Sequence, residues 1–283
     1  YLNAFLFSLI SFFMSSWLYK DKVSSPFKQI ILTLIFILPW YQFIFIWSFL
    51  TTQIIMLLMS FITLRFVSKD NLTIYDFIVC LLFGSFTYFN MAAGFMPLML
   101  SGLLILYRFI FYKERKSYYI VFVIVAFIVS GIMIYFIPHV PHHDVLKIHS
   151  IKDFINRLLH PNNVIWVIIA TPPLFVILYE LIKSKLIIEK RFFFPYLSYL
   201  FGVSIIIATL YSRPEISDRH RVLLISIIIV YFYLIFEFKY IIKFLLGICI
   251  SLLVFVNAIY YLPKYHNELK NCALLMKQNR DIV

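Results

Sequence analysis

Charge is scarce in this chain: Asp, Glu, Lys and Arg make up 13% of its 283 residues, about half the usual share of a soluble domain. Glycine is scarcer, with 6 residues, and the three cysteines (Cys80, Cys249 and Cys272) lie far apart, which leaves no disulfide framework or CxxC site. No glycine-rich phosphate loop, no HExxH and no GxSxG occurs, so ATP-driven transport and metalloprotease chemistry lack support. Asp76, Glu180 and Glu237 fall at the ends of apolar runs rather than within them, which argues against an ion-coupled pump or a voltage sensor. The first apolar run opens at Tyr1 with no charged leader or small-residue cleavage site, the pattern expected of a fragment rather than a signal peptide.

What fills the space is hydrocarbon. Hydrophobic residues reach 63%, with 32 Phe, 20 Tyr and 4 Trp, and the mean hydropathy is +0.94. A water-soluble domain could not cover that surface, so soluble enzymes, nucleic-acid modules, coiled coils and disordered chains are excluded. The formal charge of +12 then belongs to loops facing anionic headgroups rather than to nucleic acid. Runs of about 20 apolar residues, enough for roughly 30 Å of hydrocarbon, occur at 1–19, 42–66, 73–90, 92–112, 117–137, 162–182, 192–211, 221–238 and 241–262, with a shorter one at 29–40. The expectation is an all-α polytopic transmembrane helical bundle of about 9–11 membrane spans, because a helix satisfies its own backbone in lipid.

Alternate loops divide the 25 basic residues unevenly, fifteen against ten. The richer side is expected to be cytoplasmic, which puts residue 1 and the C-terminal tail on the external side of a bacterial cytoplasmic (inner) membrane. Residues 1–262 then form the transmembrane domain. Residues 263–283 form an external polar tail, the expected start of a truncated C-terminal region. Within 138–161, the spacing of Ile148, Ile151, Phe154, Ile155 and Leu158 predicts an interfacial helix over about 148–159.

One external connection breaks the charge pattern. The run Ser212-Arg213-Pro214-Glu215-Ile216-Ser217-Asp218-Arg219-His220-Arg221 holds three guanidiniums between two apolar spans. Arginine forks match phosphate oxygens, and partial desolvation at headgroup level strengthens the pairing. Arg213, Glu215, Asp218, Arg219, His220 and Arg221 are therefore the candidate site for a lipid phosphate or substrate. The alternative is a solvated loop whose arginines snorkel to lipid phosphates and pair with Glu215 and Asp218. His139, His142 and His143, beside Asp144, could hold a divalent metal, but HxxHH is a poor ligand spacing and polar loop residues fit as well. No cofactor is required. Trp47, Gln53 and Asn90 near external span ends could contact a sugar, or else belong to an aromatic belt with hydrogen bonds between helices.

These features, in this order, resemble a largely uncharacterised family of bacterial multi-pass membrane proteins related in architecture to the GT-C glycosyltransferases. The likeness rests on the Trp47 and Gln53 pair, the FNMAAGFMPLML turn at 89–100, the PHH loop at 141–143 and SRPEISDRHR at 212–221. The last is similar to the family's GR…SRY loop, with Arg213 and Arg219 on its two arginines, Ser212 in place of Gly and His220 in place of Tyr. The resemblance implies a polyprenyl-phosphate-linked sugar as donor, a glycan or lipid acceptor in the cell envelope, and a catalytic acidic residue in a loop upstream of Tyr1. The membrane lipids are the other partners expected, and no nucleic acid. Two further readings are a flippase or transporter of lipid-linked glycans and a non-catalytic membrane scaffold.

Overall fold

The structure, a computed structural model, describes residues 2–20, 51–89, 92–137, 147–214, 216, 226–227, 230–231 and 270. Among these the chain is helical and contains no strand. The described residues hold eight α-helices, in chain order α1 (Leu2–Lys20), α2 (Thr51–Val67), α3 (Ile74–Phe86), α4 (Met96–Phe111), α5 (Ser117–Tyr135), α6 (Ile151–Leu159), α7 (Pro161–Lys183) and α8 (Phe193–Ser212). Among the described residues four stretches are long and apolar enough to cross a membrane: Ala93–Phe111, Ser117–Tyr135, Trp166–Lys183 and Lys190–Ser212. Shorter apolar helices occupy Phe5–Trp17, Thr51–Val67 and Ile74–Phe89. The expected spans at 29–40 and 241–262 lie outside the described residues, as does nearly all of 221–238 and of the tail 263–283.

The bundle is built around α2 and α8. Ten of the 17 residues of α2 are buried, and it packs against α1, α3, α4 and α8. In α8, 13 of 20 residues are buried. Where they meet, Phe194 of α8 sets its ring edge-on to Phe61 of α2 and to Trp17 of α1. The periphery is different. Helix α5 buries only Tyr119, Phe122, Ala126, Ser130 and Met133, a single stripe, and leaves Ile120, Val121, Ile124, Ile128 and Ile132 exposed. An aliphatic face with no protein against it is what a lipid-facing helix presents. Three hydroxyls inside the bundle are returned to the preceding turn: Ser60 to the Met56 carbonyl at 2.6 Å, Ser101 to Pro97 at 2.8 Å and Thr171 to Val167 at 2.6 Å.

The runs 73–90 and 92–112 part where expected, at about residues 90–92, and a 3-10 turn lies on each side, Thr87–Phe89 and Ala92–Phe95. The buried Thr87 hydroxyl shares its proton between the Gly84 and Gly94 carbonyls. A Cβ on Gly94 would lie 2.2 Å from the Thr87 carbonyl oxygen, so only glycine fits there.

A charged cluster closes the end of the bundle at which α2 and α4 finish and α3, α5 and α8 begin. Arg108 is 0% exposed, yet every nitrogen of its guanidinium is used. Nε and Nη2 donate to Glu114 Oε2 at 3.0 and 2.8 Å, Nη1 to the Lys69 carbonyl at 2.6 Å, and Nη2 to the Asp70 carbonyl at 2.7 Å. Tyr119 donates to the same Glu114 oxygen at 3.0 Å, and Lys190 Nζ lies 2.6 Å from the other. Burial alone would raise the Glu114 pKa. The hydrogen bond from Lys190, the Arg108 charge, and the bonds from Tyr119 and Arg108 outweigh it and hold the carboxyl below its ordinary value. At the same end Thr73 and Asp76 form a capping box that starts α3, with Lys69 2.6 Å from Asp76.

Candidate functional site

The opposite end is reached by following α8 for its 20 residues, roughly 30 Å of rise, to Arg213. The last carbonyls of a helix have no partner within it, and here three segments supply them. The Arg213 N–H closes on the Thr209 carbonyl at 2.8 Å, Arg157 Nη1 of α6 donates to the Leu210 carbonyl at 2.9 Å, and the Ile148 N–H donates to the Tyr211 carbonyl at 3.1 Å. Ser212 turns its hydroxyl back to Ala208 at 2.9 Å. Beyond it Arg213 is extended, at φ −145° and ψ 148°, which ends α8.

One side chain then fixes the start of the connection. Asn163, in the first turn of α7, is 0% exposed and satisfied on both sides of its amide. Its Nδ2 donates to the Arg157 carbonyl at 2.9 Å and to the Pro214 carbonyl at 2.7 Å, while its Oδ1 accepts the Ile216 N–H at 2.9 Å. A carboxylate could not donate and a hydroxyl could not span all three, so the geometry demands an amide. Ile216, 2% exposed, anchors the segment on the bundle. The backbone of 213–216 is thus fastened at two points. Among the described residues nothing pairs with the half-buried Arg213 guanidinium.

Of the sequence-nominated residues, Arg213 and Gln53 are described, and both belong to this end. Gln53 lies on the third residue of α2, whose start is tied to that of α1 by the Thr51 to Asn3 hydrogen bond. Gln53 is buried and its Oε1 has no hydrogen-bond partner among the described residues. The 87–95 hairpin lies at the same end, where Tyr88 donates to the Phe136 carbonyl at 2.6 Å; Asn90, within the hairpin, is outside the described residues. Also outside them are Trp47, His139, His142, His143, Glu215, Asp218, Arg219, His220 and Arg221. No group of three His, Cys, Asp or Glu side chains able to hold a metal occurs among the described residues.

Sequence reasoning missed Asn163 and the role of Arg157. The only signal was position: a polar residue just inside an apolar run, after a proline, in the first turn of a helix. It also counted Arg108 as one more loop cation, although its place inside an apolar run marked it as a buried charge needing partners. No family model matches this chain, and no curated protein or solved structure does either.

Proposed function

We propose that the chain is a membrane-embedded, GT-C-like glycosyltransferase that uses a polyprenyl-phosphate-linked sugar in bacterial cell-envelope glycan assembly, with its Arg213 end on the external side of the inner membrane. One observation carries this reading. The amide of Asn163 holds the 213–216 backbone while the Arg213 guanidinium has no protein partner among the described residues, at the end of an apolar helix where a lipid phosphate would lie. A cation held ready at that depth suits an anionic headgroup.

In this scheme the acceptor hydroxyl attacks the anomeric carbon of the donor and the bond from that carbon to the lipid-phosphate oxygen breaks. A carboxylate takes the acceptor's proton, while Arg213, Arg219 and Arg221 offset the charge on the departing phosphate. Glu215 and Asp218 are assigned to charge balance with Arg219 and Arg221 rather than to the base, and His220 is counted with the binding residues. Gln53, whose carbonyl oxygen has no hydrogen-bond partner among the described residues, can accept a hydrogen bond from a sugar hydroxyl, and Trp47 and Asn90 are proposed as further sugar contacts. No metal is required.

Native mass spectrometry of the full-length protein in gentle detergent tests the proposal, comparing wild type with Arg213→Ala/Arg219→Ala. The expected result is a co-purifying polyprenyl-phosphate species lost from the folded double variant. Identical lipids in both samples, or bulk phospholipid alone, would overturn it.

A flippase or transporter of lipid-linked glycans is the second reading, favoured by the middle of α7. Pro172 and Pro173 leave the Ile168 and Ile169 carbonyls without their N–H partners. The Tyr231 hydroxyl donates to Ile169, and the Tyr199 hydroxyl to Ala170 at 2.6 Å. Interrupted helices with side-chain-satisfied carbonyls occur where transporters bend. Movement of lipid-linked sugar across proteoliposomes without sugar transfer would select this reading.

A further inference from the structure

Helix α6 is short, and its apolar surface is only half used. It starts at Ser150, whose hydroxyl accepts the Asp153 N–H at 3.1 Å, which is why it begins at Ile151 rather than near residue 148. None of its nine residues is fully buried. Phe154 and Leu158 pack partly against the bundle. The neighbouring stripe does not: Ile151, Ile155 and Leu159 are 81%, 47% and 66% exposed, and they recur every fourth residue, so they share one face. Lys152 and Asn156, also exposed, lie off that stripe.

The depth of this helix is fixed. Arg157 grips the Leu210 carbonyl at the end of α8, Asn163 in the first turn of α7 holds the Arg157 carbonyl, and Ile148 is bonded to Tyr211. Both α7 and α8 contain stretches apolar and long enough to cross a membrane. At about 13 Å, α6 is far too short to span one. A stripe of Ile and Leu pinned at the ends of two spans lies where hydrocarbon gives way to headgroups.

We propose that α6 is a membrane-inserted strap: Ile151, Ile155 and Leu159 enter the acyl chains of the adjacent leaflet, Lys152 and Asn156 stay in the headgroup layer, and Phe154, Arg157 and Leu158 hold the bundle. The occupant of the exposed face is lipid rather than a second protein, because the same bonds that fix the helix also set its stripe at the level of the span ends. The strap ties the leaflet to the start of the arginine connection, since the residues that anchor it are those that hold Leu210, Pro214 and Ile216. It depends on α7 and α8 crossing the membrane and not on any sugar transfer.

The test places the photoreactive residue p-benzoylphenylalanine at 151, 155, 159, 152 or 156, one position at a time, in the full-length protein in its native membrane. After irradiation, mass spectrometry reads adducts to phospholipid and gel mobility reads adducts to a second chain. Positions 151, 155 and 159 are expected to give severalfold more lipid adduct than 152 and 156. Equal adducts at all five positions, or dimer-sized products at the stripe, would overturn the strap. All five sites are exposed, and a monodisperse gel-filtration peak for each variant certifies that the chain is folded. Loss of the polyprenyl-phosphate result with the lipid pattern intact would remove the transferase reading and leave the strap standing.

Discussion

The two ends of the bundle use arginine in opposite ways. At one end Arg108 is sealed: Glu114 and the Lys69 and Asp70 carbonyls take its donors, and Lys190 covers the remaining carboxylate oxygen. At the other end the uncharged amide of Asn163 gathers the backbone, and the Arg213 guanidinium is left without a described partner. In the first the arginine holds the loops. In the second the loop is held and the arginine is presented. A fully satisfied buried charge has little left to offer a ligand, whereas a positioned cation with no partner among the described residues does. The contrast gives Arg108 an architectural role and is the ground on which binding is proposed for Arg213.

The largest effect belongs to the sealed end. Arg108→Ala takes two hydrogen bonds from Glu114, which keeps Lys190 and Tyr119, and strips the donor from two carbonyls; breaking a buried pair costs about 3–5 kcal/mol. Unfolding of detergent-solubilised protein, followed by thermal shift, is expected to show that loss. Arg108→Lys should recover little of it, because an ammonium cannot reproduce the fork that meets Glu114 and both carbonyls. A melting temperature unchanged by Arg108→Ala would erase the distinction between the two ends.

Next comes the hairpin at the Arg213 end. Gly94→Ala drives a methyl group into the Thr87 backbone, 2.2 Å from its carbonyl oxygen, for a cost of about 3 kcal/mol, the upper part of the usual overpacking range. Gly131→Ala is the control: nothing lies within 4 Å of the new methyl, and alanine favours the helix by roughly 0.5–1 kcal/mol. Opposite signs in the same assay are expected. A smaller cost follows from Asn163→Ala, about 1–3 kcal/mol for the carbonyls and N–H left bare. Asn163→Asp should not restore it, since two of the three bonds need a donor. Faster proteolysis in the 213–216 segment would locate the damage.

The two ends were not equally legible in the sequence. Helicity and membrane character follow from apolar runs bounded by cations, which depend on nothing distant. The amphipathic helix was also local; only its start moved, because Ser150 caps it. The Arg108 cluster was hidden, since its partners include Lys69 and Asp70, nearly forty positions away, and Lys190, still farther. Asn163 was hidden for the same reason, its partners Pro214 and Ile216 being more than fifty residues on. The connection at 212–221 stood out because its charge opposes the local trend, and Arg213, its one described guanidinium, lies at the end of α8 as expected. What composition could not show is how that segment is fastened.

Acid provides a milder probe of the sealed end. The folded-state pKa of Glu114 lies below its ordinary value of 4.5, so its contribution is fully present above that value and declines as pH falls through the depressed folded one. Melting temperature should therefore fall below about pH 4.5, and the Glu114→Gln variant should lose less over the same interval. An equal acid response in wild type and variant would mean that Glu114 contributes no linkage and that Arg108 is held by the carbonyls.

The smallest expected change in stability is at Arg213. Its backbone N–H, not its side chain, closes α8, so Arg213→Ala keeps the bond to Thr209 and removes a half-buried guanidinium with no described partner. Substitutions of that kind usually fall within about 0.5 kcal/mol. The variant should therefore melt with the wild type while losing the lipid phosphate proposed to bind there. A folded Arg213→Ala that is markedly less stable would make the guanidinium a structural clamp like Arg108, and the difference between the two ends would reduce to one of depth.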